Sequence, residues 1–208
     1  MVDHAETLRA VFAHIRTGDL PRAAATLQQD YPYKTLRNAG RRITPYQSTE
    51  VFLRDGFVDR YTGQRLVNPA ALRLVAALLP EEFPAHKNWK LSETHVAFYE
   101  LFPTIDHLVP VARGGPDEEN NWITTSMGRN SAKANYLLEE IGWELCPPGD
   151  LAVWDGLTAW VVAYLDGDPE LSVIAESEMH HCTYIRRWAN ASRRALKEAQ
   201  RVAALEKR

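Results

Sequence analysis

The chain has 208 residues, of which 45% are hydrophobic and 25% charged, proportions that are ordinary for a globular protein with a sizeable core. Its net charge of -3 excludes a generally basic nucleic-acid coat protein, so any nucleic-acid contact has to come from local basic clusters. Two cysteines, Cys146 and Cys182, form no CxxC arrangement, which argues against a disulfide framework or a cysteine zinc site and fits a reducing compartment.

No segment of the sequence predicts targeting to a membrane. The first ten residues are acidic and lack the apolar stretch of a signal peptide. The longest apolar runs, residues 70–79 and 157–165, are too short to cross a bilayer. We therefore expect a cytoplasmic protein with no membrane partner.

The N-terminal region predicts two short helices followed by a basic segment. Within residues 3–29, apolar residues from Leu8 to Ile15 recur at helical spacing, and Gly18 interrupts them. Residues 31–49 contain no acid and combine three tyrosines with four basic residues: Lys34, Arg37, Arg41 and Arg42. Such a segment can follow a phosphate backbone. It can equally be a solvated loop over packed tyrosines, and the sequence leaves both interpretations open.

The next segments predict a short turn-rich region and a helical insert. Residues 51–63 read VFLRDGFVDRYTG. The following insert spans residues 69–100, with a helix expected over 70–79, closed by Pro80, and a loop over 81–90.

The stretch from 105 to 133 reads IDHLVPVARGGPDEENNWITTSMGRNSAK and predicts two strands and a helix. A first strand is expected over 98–111, a turn at Gly114-Gly115-Pro116, and a returning strand over 122–125. Ser126 can cap a helix that Gly142 ends. Strand alternation would point the side chains of Asp106 and His107 to opposite faces, so a site that uses both needs a break in the pleat near Pro110. The acidic run 117–119 is interpreted as a solvated loop.

Four elements of this stretch occur in an order that resembles the HNH nuclease family: the pair Asp106-His107, then Asn121, Asn130 and Lys133. The resemblance implies a ββα-metal unit that hydrolyses phosphodiester bonds. It implies that Asp106 and Asn130 bind Mg²⁺, with Mn²⁺ as a substitute, and that His107 is the general base. Asn121 would hold the backbone around His107, and Lys133 would contact phosphate.

The residue types suit these roles chemically. Carboxylate and amide oxygens are the ligands that Mg²⁺ prefers, and it needs only one or two from the protein. An imidazole titrates near neutrality and can take a proton from water. Taken singly, each residue has an ordinary alternative: a turn for Asp106-His107, a loop for Asn121 and a helix opening for Asn130.

Residues 51–63 carry a second resemblance, to the zinc knuckle of some HNH proteins. The matching residues are Arg54, Asp55, Phe57 and Gly63. The four positions that would carry cysteine are occupied by Asp59, Thr62, Ser126 and Arg129. We therefore expect no structural zinc, and we expect apolar packing from the insert to hold this hairpin.

The C-terminal region predicts a linker at 146–150, a buried helix over 154–165 and a long helix over 184–208. The long helix has an apolar arc consisting of Trp188, Ala191, Ala195, Ala199 and Val202. Its opposite arc is basic and consists of Arg186, Arg187, Arg193, Arg194, Lys197 and Arg201. The apolar arc should pack on the body, and the basic arc can lie on a phosphate backbone or be only solvated.

The sequence thus predicts an α+β protein with an HNH ββα-metal core in a mostly helical chain. Its regions are an N-terminal arm (1–48), the nuclease core with its insert (49–145) and a helical C-terminal region (146–208). The expected partner is DNA, double-stranded by preference, and a homodimer is left open. The expected DNA contacts are Lys133, Arg113, Arg129, Arg41, Arg42, Arg193 and Arg194. A restriction or defence role is compatible with the compact size. The alternatives are an inactive DNA-binding module and an RNA-directed nuclease.

Overall fold

The computed structural model describes residues 3–33, 43–167 and 179–206, and the chain divides into two compact units, Met1–Gly40 and Arg41–Arg208. In the first unit, α1 (His4–Arg16) and α2 (Leu20–Asp30) pack against each other around Val11 and Ala23. An aspartate side chain caps the N-terminus of each helix. The two helices predicted for this region are confirmed.

Three helices precede the sheet in the second unit: α3 (Pro45–Arg54), α4 (Pro69–Leu78) and α5 (Ala97–Glu100). The helix α4 was predicted, whereas α3 was not. Thr44 and Gln47 form a capping box at its start, with proline in the first turn, and this signal was present in the sequence. The α5 helix occupies the region where the first strand was expected to begin, so that part of the prediction is wrong.

The sheet consists of two antiparallel strands, β1 (Pro103–His107) and β2 (Trp122–Ser126), and α6 (Met127–Lys133) follows directly. The predicted order of strand, strand and helix is confirmed, as is the cap at Ser126, whose hydroxyl accepts from Arg129 N at 3.3 Å. The helix was expected to run to Gly142 but stops at Lys133. Ala134 has φ = 47°, and a separate helix, α7 (Leu138–Ile141), ends at Gly142.

Two C-terminal helices, α8 (Thr158–Gly167) and α9 (Met179–Glu206), complete the described part of this unit. The long helix is confirmed, and Ala191 and Ala195 on its predicted apolar arc are buried. Ala199 on the same arc is exposed, so the buried contact ends before it. The prediction of a buried helix over 154–165 holds on one face only, because Val161 is buried and Trp160 is 55% exposed.

Apolar packing joins α9 to α3, α4 and α8. One cluster combines residues of α4, Val161 and Ile185, and a second combines Phe52, Phe57 and Ala195. A buried amide adds a polar connection between the helices: Asn68 donates to Thr158 Oγ1 at 3.1 Å and to Ser192 Oγ at 2.9 Å. None of the described helices is long and apolar enough to span a membrane.

Two buried carboxylates connect the segment 54–66 to β2. Thr124 N donates to Asp55 Oδ2 at 2.7 Å, and Ser126 N donates to Asp59 Oδ2 at 2.9 Å. Between them, Arg60 N donates to Thr124 O at 2.9 Å. The outer edge of β2 is therefore satisfied by hydrogen bonds. The expectation that apolar packing from the insert holds this hairpin is corrected, because carboxylates make the direct connection.

We predict that Asp59→Ala destabilises the protein by about 3 kcal/mol, because it leaves buried donors on β2 without an acceptor. Asp59 is fully buried and also accepts from Thr125 Oγ1 at 3.1 Å. Urea denaturation followed by circular dichroism measures the change. Glu81→Ala, at an exposed position, is the control and should alter stability by less than about 0.5 kcal/mol. Equal stability of the two variants would contradict the assigned role of Asp59.

Candidate functional site

Asp106 lies on β1 with both carboxylate oxygens in hydrogen bonds. Its Oδ1 accepts from His107 N at 2.7 Å, and its Oδ2 accepts from the hydroxyl of Tyr61 at 2.6 Å. The ammonium of Lys133 lies 3.0 Å from the same Oδ2. Asp106 as a whole residue is only 7% exposed, so the charge of its carboxylate is balanced inside the protein rather than by solvent.

Lys133 ends α6 and is fully buried. Besides its ion pair with Asp106, its Nζ donates to His107 O at 2.8 Å. The structure thus places Lys133, which was predicted to contact phosphate, in the interior with its amine on protein groups. Its amine points into the ββα unit because the buried carboxylate of Asp106 attracts it there. Lys133 joins the end of α6 to the end of β1.

Asn130 lies in α6 and binds the same strand. Its Nδ2 donates to Thr104 Oγ1 and to Ile105 O, both at 3.0 Å. These two bonds fix the Asn130 amide against β1. Since Thr104 and Asp106 are two residues apart, they share one face of the strand, which α6 covers. Asn130 and Asp106 are therefore brought to the same side of the unit.

His107 is the last residue of β1 and has separate surroundings. Its Nε2 lies 2.7 Å from Asp117 Oδ1, and the indole Nε1 of Trp122 lies 3.0 Å from that same oxygen. The imidazole Nε2–H and the indole Nε1–H can both donate to Asp117 Oδ1, which accounts for the two short distances to this oxygen. His107 as a whole residue is 5% exposed. Residues 117–119 are exposed, as the interpretation of a solvated loop requires, and Asp117 in addition binds His107 and Trp122.

The break in the pleat expected near Asp106 and His107 is absent. Regular pairing continues through His107, which lies opposite Trp122, and Leu108 N then donates to Asn121 O at 2.8 Å. Strand alternation therefore directs the imidazole and the Asp106 carboxylate to opposite faces. The structure brings Asp106, Asn130 and Lys133 together and places His107 at the strand end beside Asp117.

Asn121 holds the loop between the strands. Its Oδ1 accepts from Val109 N at 2.9 Å, and its Nδ2 donates to Val109 O at 2.9 Å and to Pro116 O at 2.8 Å. The backbone of this loop also approaches position 115 closely. Only glycine fits there, because a Cβ would lie 1.9 Å from Val109 O. Asn121 is buried, whereas its neighbour Asn120 is exposed. Its contacts fit the backbone-holding role that the resemblance implies.

The predicted DNA contacts occupy different environments. Arg113 forms a bidentate pair with Glu140, and hydrogen bonding to Arg113 lowers the pKa of that carboxyl. Arg193 pairs with Asp166. Two others stack on rings: Arg129 lies 5.5 Å from the centroid of Trp143 and Arg194 lies 3.8 Å from that of Tyr46. Arg41 and Arg42, with Lys34 and Arg37, lie outside the described residues.

The side-chain oxygens of Asp106 and Asn130 are of the type that binds a hard divalent cation. Over residues 3–33, 43–167 and 179–206, no three side chains of His, Cys, Asp or Glu converge as a metal cluster. One carboxylate and one amide oxygen remain, from Asp106 and Asn130. Mg²⁺ is commonly held by one or two such oxygens with water completing its shell. The residues therefore fit the ion in type, with the amine of Lys133 already beside the carboxylate.

Two contacts of the site were missed in the sequence, those of Tyr61 and Asp117. Burial, and then the charge of Asp106, raise the pKa of Tyr61 well above its ordinary value, so its hydroxyl stays protonated and donates to Asp106. Tyr61 lies among the residues that matched the zinc knuckle, between Phe57 and Gly63, but a tyrosine there carries no pattern of its own. Asp117 had only the signal of an acid in a glycine-containing loop.

Comparison of the chain with models of known protein families, with curated proteins and with solved structures yields no match. The resemblance to HNH nucleases therefore rests on the ordered residues of the stretch 105–133 alone.

We predict that Lys133→Met lowers the free energy of unfolding by about 3–5 kcal/mol, because it leaves the buried carboxylate of Asp106 without its counter-ion. The double variant Asp106→Leu/Lys133→Met removes both charges and should recover much of this loss. Chemical denaturation of the single and double variants measures the difference. A loss below about 1 kcal/mol for Lys133→Met, typical of an exposed pair, would show that the pair is not buried in solution.

We also predict that Tyr61→Phe costs about 1–2 kcal/mol near neutral pH, because Asp106 loses a hydrogen-bond donor. The raised pKa of Tyr61 gives this difference a pH dependence. An unfolded tyrosine releases its proton near pH 10.0, whereas the folded one keeps it, so the advantage of the wild type should shrink as pH rises above that value. Denaturation curves at pH 8 and pH 10.5 test this, and a difference that grows with pH would contradict it.

Proposed function

We propose that the chain is a metal-dependent endonuclease of the HNH type that hydrolyses phosphodiester bonds in DNA. One observation carries the proposal. Asn130 in α6 binds the backbone of β1 at Ile105, next to Asp106, so that two oxygen donors distant in sequence lie on one side of a strand–strand–helix unit. The choice of DNA comes from the resemblance, which is weaker support than the geometry.

In this proposal Asp106 and Asn130 hold a hydrated Mg²⁺. When bound, the ion supplies charge neutralisation at the phosphoryl oxygens and at the leaving oxygen. Tyr61 and Lys133 orient the Asp106 carboxylate through its Oδ2. Lys133 also adds a fixed positive charge beside the position of the phosphate.

In this proposal His107 takes the proton of the attacking water. Because the imidazole and the Asp106 carboxylate face opposite sides of β1, the phosphate has to lie across the end of the strand, where His107 is the last residue. Its Nε2 is bound to Asp117 in the structure, so the water has to replace that carboxylate and meet the imidazole as the other tautomer, with the ring proton on Nδ1 and the lone pair on Nε2. The Asp117 side chain is 40% exposed and lies in the loop between the strands, which lets it rotate toward solvent. Asn121 meanwhile keeps the backbone beyond His107 in place, so the imidazole retains its position at the strand end.

A second candidate is a nucleic-acid-binding module without catalytic activity. Two observations favour it: Lys133 already neutralises Asp106, and the imidazole of His107 is buried on the opposite face of the strand. In that case the ββα unit would serve only as a scaffold. Binding without cleavage in the presence of divalent ions is the outcome that distinguishes this candidate.

We predict that the protein cleaves plasmid DNA with Mg²⁺ or Mn²⁺ and that His107→Ala lowers the rate by about 100-fold or more, since a positioned base contributes about 10²–10⁴. His86→Ala is the matched control, because His86 pairs with Glu93 in a separate loop, and it should leave the rate unchanged. Gel analysis of supercoiled, single-stranded DNA and RNA substrates gives the preference. Undiminished cleavage by His107→Ala refutes the assigned base, and DNA binding by wild type without cleavage favours the module.

A further inference from the structure

A cavity of about 440 Å³ lies beside the candidate site and shares a residue with it. Tyr61, whose hydroxyl binds Asp106, forms part of its wall. The other side chains that give it chemical character are Thr62, Arg129, Trp143, Glu144 and Cys146. A ligand in this cavity would therefore be separated from the carboxylate of Asp106 by one tyrosine side chain.

The walls of the cavity are held by backbone contacts. Cys146 N donates to Arg60 O at 2.7 Å, and Arg60 Nε donates to Cys146 O at 2.7 Å, which fixes the chain after α7 against the hairpin. Gly142 turns the chain with φ = 66° and brings Trp143 to the cavity. The rings of Trp143 and Tyr61 lie 5.3 Å apart at 50°. The cavity is therefore a built feature between two fixed segments.

Two opposite charges line this cavity without neutralising each other. Arg113 and Arg193 pair with acids, whereas the guanidinium of Arg129 lies over the Trp143 ring and forms neither a hydrogen bond nor an ion pair with another described residue. The carboxylate of Glu144 forms neither a hydrogen bond nor an ion pair with any residue that the structure describes. The cavity thus offers aromatic surface together with a free set of donors and a free acceptor.

A nucleobase has the complementary properties, with a flat π face and a polar edge. Bases stack on aromatic side chains, and arginine donates to the O6 and N7 acceptors of guanine. Guanine also carries N1–H and an amino group, two donors that a carboxylate can accept. Thus one base satisfies both Arg129 and Glu144, while one of its faces meets the aromatic surface that Trp143 and Tyr61 form together.

We propose that this cavity binds a single unstacked guanine base of a nucleic-acid strand. The identity of the strand as the one being cut rests on the proposed function. Enzymes that place a base in a pocket have to unstack it first, so a single strand, which avoids the cost of unpairing, should bind best. Because Tyr61 also binds Asp106, the occupied pocket would position the adjoining backbone at the candidate site.

The test uses the full chain in EDTA, so that binding is measured without cleavage. Fluorescence anisotropy compares labelled twelve-nucleotide thymidine strands with and without one central guanine. We expect the guanine strand to bind about tenfold tighter, because one stacked base contributes substantially to affinity. Trp143→Ala should abolish this preference, and Glu144→Gln, at an exposed position that folding does not require, should reduce it. Trp160→Ala, on the exposed face of α8, is the matched control and should keep it.

Equal affinity of the wild type for both strands overturns the proposal, as does an unchanged guanine preference in both Trp143→Ala and Glu144→Gln. Plasmid cleavage separates this inference from the proposed function. Cleavage without a guanine preference refutes the pocket and leaves the nuclease. A guanine preference lost in the two variants, without any cleavage, supports the pocket and refutes the nuclease.

Discussion

The structure of the candidate site depends on the hydrogen bonds that two buried aspartates accept from β2. A two-stranded sheet is marginally stable by itself, and β2 would otherwise present unpaired amides at its outer edge. Asp55 and Asp59 accept from alternate amides of that strand, at Thr124 and Ser126. Burying their charges costs free energy, which is offset differently: Asp55 by Arg60 at 3.1 Å, and Asp59 by several hydrogen bonds. Asp59 stands where the resemblance places a cysteine. Its carboxylate connects the segment 54–66 to β2 through hydrogen bonds.

How far the sequence predicted the site follows from the range of each interaction. The turn at Gly114-Gly115-Pro116, the cap at Ser126 and the order of the elements are local signals, and they were predicted correctly. The helix end at Ala134 was not, because no glycine marks its positive φ. Contacts between distant segments, such as Tyr61 with Asp106, leave no periodic signal in the sequence. Lys133 was expected to contact phosphate, and its pairing with the buried carboxylate of Asp106, 27 positions earlier in the chain, could not be predicted from the sequence.

A buried lysine beside Asp106 changes the electrostatics of the proposed metal site. An ion bound there would meet a carboxylate whose charge is already balanced by an ammonium 3.0 Å away. Like-charge repulsion should therefore weaken the affinity for the ion relative to an unpaired carboxylate. The same ammonium would help neutralise a phosphate at this position. The arrangement consequently favours binding of ion and phosphate together over binding of the ion alone.

The two ion pairs of the site differ in how readily a substrate could displace them. The side chains of Lys133 and Asp106 are 0% and 8% exposed, so separating them strands a buried charge at a cost of about 3–5 kcal/mol. In the pair of Asp117 with His107 the carboxylate is 40% exposed and the imidazole 6%, so the carboxylate can leave toward solvent without stranding a charge inside the protein. Water can rehydrate the Asp117 carboxylate as it leaves, whereas nothing rehydrates Lys133. Substrate binding can therefore uncover the imidazole at small cost, while Lys133 stays in place as a fixed charge during any reaction at Asp106.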